Sequence, residues 1–324
     1  MMTTTDLPIG PAMEAMEKHA GARPGYRRAH ARGLVLRGTF QATSAARALT
    51  TAEHFAGAVV PVQVRFSNAG GNPFAADRAS AKTGKAVGMA IRFLLPSGAA
   101  ASWAAVNLPA FPARTPEDFV RITRAQQPFL SLAPNPFKLI AYLISRPSVL
   151  PTIKAIARMK PVRSFATVTY NGIHTYFLVN GKGDRQAFRY SWRPRAGNQT
   201  LSPAESQKLP EQYLLDELRQ RLSAGKIEWD LHLQFPREGD PLLDASRAWP
   251  ADRETCHAGT LAVVDSEPDQ RAVEGLVFDP TGVVPGLELS EDPLLRFRAA
   301  VYSESYRRRS QETRNEAAPS DMGQ

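Results

Sequence analysis

The sequence predicts an α+β protein. Three observations carry this reading: β-rich runs come first, helical and β-rich segments mix later, and no regular β-α-β alternation of the kind that builds a parallel sheet runs through the chain. The 324 residues, 43% of them hydrophobic, can bury a large core in one big domain or two smaller ones. One cysteine, Cys256, excludes an internal disulfide framework. Its neighbour His257 makes no metal-ligand spacing with it. A net charge of +9 and a pI near 9.8 raise nucleic acid or an anionic surface as partners. Against a nucleic-acid binder stand the missing zinc spacing, Gly-rich phosphate loop and recognised binding motif. The apolar run Leu139–Ser145 is too short to span a bilayer. Met1–Gly21 has no basic start followed by an apolar stretch, so the expectation is a cytoplasmic chain without a signal peptide.

Taken in order, residues 1–22 are weakly patterned and read as an arm or short helix. Gly33 and Gly38 punctuate a β-rich run from Arg27 to Thr43, with His30 at its entrance. Val60, Val62 and Val64 alternate with Pro61, Gln63 and Arg65 in a second strand that leads to Ser67. Lys85–Phe93 reads as a third strand. Thr115-Pro116 followed by Asp118 is a helix start, with threonine as cap and proline in the first turn. Helical segments run from Pro116 to Gln127 and from Pro136 to Met159, the latter broken at Pro147 and Pro151. Phe165–Asn180 is β-rich, with Asn171-Gly172 as a turn or kink. A strand over Phe188–Arg193 precedes the capping box Ser202-Pro-Ala-Glu205 and a helix from about Pro210 to Ala224, stopped by Gly225. Ile227, Trp229, Leu231, Leu233 and Phe235 then alternate with polar residues, a half-buried strand with His232 on its polar side. Ser310–Gln324 is polar and without period, and is expected to be a disordered tail.

The chemistry gathers near the end. Pro293 fits a first helical turn, and Arg298, Tyr302, Tyr306 and Arg309 then fall at i, i+4, i+8 and i+11, which lines them along one stripe. An arginine one turn from a tyrosine favours the phenolate, a hard anionic ligand for ferric iron.

Several segments, in order, resemble the catalase family. Arg298, Tyr302, Arg307 and Arg309 match the arginine–tyrosine haem helix, and Phe278–Glu288 resembles the stretch that leads into it. Arg27-Arg-Ala-His30-Ala-Arg32-Gly33, with Gly38 and Phe40, resembles the motif of the distal histidine. Val64-Arg65-Phe66-Ser67 resembles a second family strand, Gly88, Ala90 and Phe93 a third, and Tyr170–Asn180, which includes His174, a later one. Where catalases place an asparagine that works with the distal histidine, this chain reads Val106-Asn107-Leu-Pro-Ala-Phe111; Pro109 and Phe111 hold the register on Val106, and a one-residue shift would assign Asn107 instead. The match covers residues 23–309 as one haem domain between the arm and the tail, an outline similar to the small catalase-related peroxidases.

The resemblance implies an antiparallel β-barrel binding ferric haem, surrounded by helices. It implies Tyr302 as axial ligand supported by Arg298, and His30 as the acid–base group with its tautomer set by Ser67. Arg27, Arg65 and Arg309 are implied at the propionates, and Phe111 and Phe119 over the distal face. The implied function is a haem peroxidase that reduces hydrogen peroxide or organic hydroperoxides with a small organic electron donor and has weak catalase activity, because valine replaces the asparagine. Rearrangement of lipid hydroperoxides, a full catalase and a non-catalytic haem carrier or sensor stand as alternatives, and a homo-oligomer stays open.

Overall fold

β1 (Gly33–Ala42), β2 (Val59–Asn68), β3 (Val87–Leu94) and β4 (Ala100–Val106) form a meander, and β5 (Tyr170–Val179), β6 (Arg185–Pro194), β7 (Ile227–Gln234) and β8 (Thr255–Ser266) form a second. They join in the order β4-β3-β2-β1-β8-β7-β6-β5, and a further pairing of β4 with β5, Val106 opposite Asn171, closes the ring. All pairs are antiparallel, and the short β9 (Leu287–Leu289) adds to β5. The helices are α1 (Ile9–Ala20), α2 (Ser44–Arg47), α3 (Pro116–Ala125), α4 (Pro136–Ser145), α5 (Leu150–Arg158), α6 (Pro203–Gln207), α7 (Tyr213–Ala224), α8 (Gln270–Glu274) and α9 (Pro293–Ala317). This computed structural model describes residues 7–21, 23–78, 86–127 and 134–317, with side chains as far as Asn315. Lys85, expected to open the third strand, lies outside the described residues.

The period-2 patterns decide which way each strand faces. In β2, Val60, Val62, Val64 and Phe66 are buried in the barrel, and in β7 Ile227, Trp229, Leu231 and Leu233 are. An eight-stranded barrel is just wide enough to be filled by its own side chains. Here Phe40 meets Phe55, Phe93 and Trp192 edge-on with ring centroids 5.4–5.9 Å apart, the preferred geometry of aromatic quadrupoles. Asn171-Gly172 marks an irregularity in β5 rather than a turn. A Cβ on Gly172 would lie 2.3 Å from the Tyr190 ring, so the strand needs glycine there. A packed interior leaves no room for a large cofactor, and the functional cavity lies on the outer side of the wall.

Outside that wall, α1, α3, α4, α5 and α9 enclose a second apolar cluster around Met13, Val120, Tyr142, Leu294 and Phe297. The caps expected from sequence are present. Thr115 Oγ1 accepts from the Asp118 N–H at the start of α3, and Ser202 and Glu205 form a reciprocal capping box on α6. α1 lies within the expected N-terminal arm, yet Ala12, Met13, Ala15 and Met16 are buried.

The expectation of a disordered tail from Ser310 is corrected over its first part: α9 is helical through Ala317. Polarity misled the reading, because these polar residues are partnered. Arg28, 6% exposed, is bridged by Glu17 of α1 and Glu312 of α9, and Glu312 also accepts from the Gly25 N–H at 3.0 Å. Residues 318–324 lie outside the described residues.

One buried group makes the fold sensitive to acid. His54 is 0% exposed, stacks on Phe93 at 4.7 Å, and neither ring nitrogen has a hydrogen-bond partner. Burial pushes its pKa down to about 3. The folded chain therefore keeps His54 neutral while the unfolded chain protonates it below about pH 6.5, so stability falls as pH drops through that window. We predict that His54→Leu, compared with the wild type in urea unfolding, gains about 2 kcal/mol more at pH 5 than at pH 8. An equal effect at both pH values would show that the fold does not depress the His54 pKa.

Candidate functional site

The site is assembled where the outer faces of β2, β3 and β4 meet α9. Strand register sets one wall: Ser67 pairs with Gly88 and Gly88 with Val106, while two residues away Arg65 pairs with Ala90 and Ala90 with Ala104. By the two-residue alternation these six positions share the outer face, and all six line one cavity. The opposite wall is the α9 stripe of Arg298, Val301, Tyr302, Ser305 and Arg309, and Met16 of α1 and residues 276–278 complete the lining.

His30 enters just before β1. Its φ of 53° makes it the one described non-glycine residue in left-handed backbone geometry, a conformation that costs energy and tends to persist at functional positions. The backbone N–H donates to the Ala69 carbonyl, and the imidazole Nδ1 lies 2.9 Å from Ser67 Oγ. The ring rests over Gly88, where an added Cβ would come within 2.7 Å of His30 Cε1. Burial, then the charges of Arg65, Arg298 and Arg27, push the imidazole pKa down to about 3, so His30 is neutral near pH 7.

Across the cavity, Arg298 Nη2 donates to the Tyr302 phenolic oxygen at 2.7 Å. Burial opposes the charge on Arg298, but Tyr302, joined by Tyr176 and Tyr190, outweighs it and the guanidinium is held more firmly charged than usual. The start of α9 is fixed by a group that sequence reading did not connect. Asp292, fully buried, accepts from the Leu294 N–H as a helix cap and from His174 Nδ1 at 2.7 Å. Burial alone would raise the Asp292 carboxyl, but His174, with the Leu294 N–H and the charge of Arg189, overrides it and keeps the carboxyl below the usual range.

Besides Arg298, three guanidiniums line the cavity. Burial, then the like charges of Arg65 and Arg309, depress Arg27 to about 8, although Glu274 forms an ion pair with it. Arg65, 4% exposed, donates to the His30 and Ala31 carbonyls and leaves a buried Nε–H without a partner. Burial depresses the charge of Arg309, whose Nη2 donates to the Gly275 carbonyl. Buried like charges with an orphaned donor fit an anionic ligand, and a carboxylate would satisfy them by charge-assisted bonds.

The structure thus brings Arg27, His30, Arg65, Ser67, Val106, Arg298, Tyr302 and Arg309 around one cavity. It does not bring the other candidates there. Asn107 uses its side-chain oxygen to accept from the Val87 N–H at 2.9 Å. Phe111 and Phe119 stack on each other at 6.1 Å, and Phe119 meets Phe297 edge-on, within the helical cluster. Tyr306 is 42% exposed beneath the Arg309 guanidinium. Met16, Leu276 and Val277 were not foreseen, because they reach the cavity from segments with no pattern of their own, and Phe278, which opens the family-like stretch before α9, was not assigned to the cavity.

A filled antiparallel barrel with this cavity on its outer wall, under a terminal Arg–Tyr helix, is the catalase fold. Solved structures agree: the crystal structure of a fungal catalase superposes with a TM-score of 0.76 at 23% identity over 89% of this chain and 60% of that one, and a bacterial catalase with 0.77 at 22% over 89% and 58%. The chain belongs to the catalase family, whose model matches residues 11–318. Members of this family generally bind haem. The chain is 34% identical over 312 residues to a catalase-related peroxidase of Mycolicibacterium paratuberculosis, covering 95% of this chain and 96% of that protein. It is 32% identical over 300 residues to a catalase-related peroxidase of Synechococcus elongatus, covering 92% and 87%. The catalase of Vibrio vulnificus is 28% identical, and the match spans 59% of its length.

The Asp292–His174 pair gives a direct test of what holds α9. Asp292→Ala leaves His174 without its partner and the helix without its cap, and should cost about 3–5 kcal/mol in urea unfolding. Asp292→Asn keeps one acceptor and should lose less. Equal losses for the two variants would mean that the hydrogen bonds are not what fixes the helix.

Proposed function

We propose that the chain is a haem-dependent peroxidase that reduces hydrogen peroxide or organic hydroperoxides at the expense of a small organic electron donor. The observation that carries this reading is a phenol bound to Arg298 and an imidazole bound to Ser67 on the walls of one arginine-ringed cavity. In this reading Tyr302 ligates the iron as phenolate, Arg298 sustains that charge, and Arg27, Arg65 and Arg309 hold the propionates. When bound, haem supplies the iron centre that exchanges electrons with the peroxide.

His30 supplies the proton chemistry. With Nδ1–H donating to Ser67 Oγ, the neutral ring offers Nε2 as a base for the hydroperoxide proton. Once protonated, the same nitrogen can return the proton to the departing oxygen. Both transfers use the same nitrogen, so the ring need only stay where Ser67 and Gly88 hold it. Ala90, Ala104 and Val106 line the cavity as small apolar side chains, which leaves room for an organic substituent on the peroxide.

Two substitutions separate ligand from acid–base group. Tyr302→Phe should lose haem or bind it weakly, read as loss of the Soret absorption band. His30→Ala should keep haem and slow the reaction with peroxide by about 10²–10⁴-fold. Full haem content with an unchanged spectrum in Tyr302→Phe would remove the ligand assignment, and unchanged activity per haem in His30→Ala would make the histidine structural.

Val106 sets the balance between two activities. Oxidising a second hydrogen peroxide calls for a side chain that donates and accepts hydrogen bonds to a small polar substrate, which an amide does and valine cannot. The wild type should therefore evolve little oxygen and oxidise an organic dye well, and Val106→Asn should raise oxygen evolution. Vigorous oxygen evolution by the unmodified protein would show that Val106 is not decisive.

A further inference from the structure

Helix α4 is apolar around its circumference and hardly buried. Leu139, Tyr142 and Leu143 pack on the helical cluster, and Tyr142 is the one buried residue of α4. On the other side Ile140 and Ile144 are 55% and 77% exposed, with exposed Ala141 between them. A helix that is apolar on all sides belongs in a core or against lipid. After a bend of 105°, α5 adds Leu150, 37% exposed, and exposed Pro151 and Ala157. No single helix among the described residues is long and apolar enough to cross a membrane. Both helices keep one side on the protein, where Tyr142 Oη donates to the Pro112 carbonyl and Thr152 Oγ1 to the Ser246 carbonyl. The geometry suits lying on a surface rather than spanning a bilayer.

Charge identifies the surface. Between Asp118 and Asp184 the chain has no acidic residue and nine basic ones. Taking these from the total of 40 leaves 31 basic against 31 acidic residues, so the whole net charge of +9 resides in this one segment. Lys138 on α4, Lys154 and Arg158 on α5, and Lys160 just beyond are all exposed. Arg146, between the helices, is paired with Asp118 at 2.9 Å. Exposed aliphatic side chains beside a basic rim match helices at an anionic bilayer interface, where each Lys or Arg adds about fivefold in affinity. A second copy brought to this face would set like charges against each other, which disfavours self-association there.

We propose that the α4–α5 face is a docking surface for an anionic lipid bilayer. Ile140, Ile144 and Leu150 enter the acyl boundary, and Lys138, Lys154, Arg158 and Lys160 meet the headgroups. Tyr142 and Val149 beneath this face belong to the same packed cluster as Met16 and Val301 of the cavity lining, so docking brings the cavity to the side of a membrane. That this places it near peroxidised acyl chains rests on the peroxidase reading; the docking does not.

Vesicle flotation of the folded, haem-loaded full chain tests the docking independently of activity. The protein should float with vesicles of phosphatidylcholine mixed with phosphatidylglycerol, far less with phosphatidylcholine alone, and release at high salt. Ile140→Asp with Ile144→Asp should abolish flotation, and Lys154→Gln with Lys160→Gln should weaken it about 25-fold. Unchanged circular dichroism and dye oxidation show that these variants are folded. The proposal fails if the folded wild type does not float with anionic vesicles, or if the double aspartate variant floats equally well. It also fails if the wild type ignores vesicles and sedimentation velocity shows the aspartate changes turning a dimer into a monomer, since a second copy then covers the face.

Discussion

The register that aligns Ser67, Gly88 and Val106 across three strands is the constraint on which the site depends. A strand slipped by one residue exchanges its two faces. In β2 that would send Val64 and Phe66 outward and bury Arg65 and Ser67 among the aromatics of the barrel. The apolar period that fills the interior thus fixes, as its complement, the polar set on the outer wall. Interior packing places the imidazole partner, the glycine seat beneath the imidazole and the residue beside it without any contact made for that purpose.

Electrostatics supply the other half. Arg27, Arg65 and Arg309 are drawn together although burial and mutual repulsion weaken the charge on Arg27 and Arg65. Backbone carbonyls and Glu274 relieve part of that cost, and the remainder is a standing preference for an anion. Burial first, and then the charges of Arg65, Arg298 and Arg27, keep His30 neutral, so two of the guanidiniums that favour an anion also disfavour a proton on the imidazole. On α9 the polarity is reversed: an oxygen on Tyr302 sustains the charge on Arg298.

Much of the fold was legible because its signals are local. Alternating valines gave β2, the Trp229-centred run gave β7, and Thr115 and Ser202 gave helix starts. The Arg298–Tyr302 bond was legible for the same reason, being one helical turn long. What escaped was long-range. His174 is bound to Asp292 across 118 residues, and Glu312 to Arg28 across 284, so neither the anchor of α9 nor the helical continuation past Ser310 left a mark in its own neighbourhood. The likeness to catalases put Phe111 and Phe119 over the distal face; their rings stack on each other, and Phe119 meets Phe297 edge-on, contacts that no local pattern foretells. Barrel closure, too, is a relation between β4 and β5 that neither strand announces.

That closure falls on a residue with two faces. The backbone of Val106 pairs with Asn171 at the seam of the barrel, while its side chain borders the cavity. Further support comes from Asn171 Nδ2 donating to the Leu108 carbonyl and Tyr190 Oη donating to the Ala104 carbonyl. None of these bonds consults the identity of the side chain at 106. Ladder hydrogen bonds belong to the main chain, so variation at this position can reset the polarity of the cavity while leaving the seam intact. Architecture and chemical character are separable there: the main chain carries the closure, and the side chain alone sets what the cavity meets.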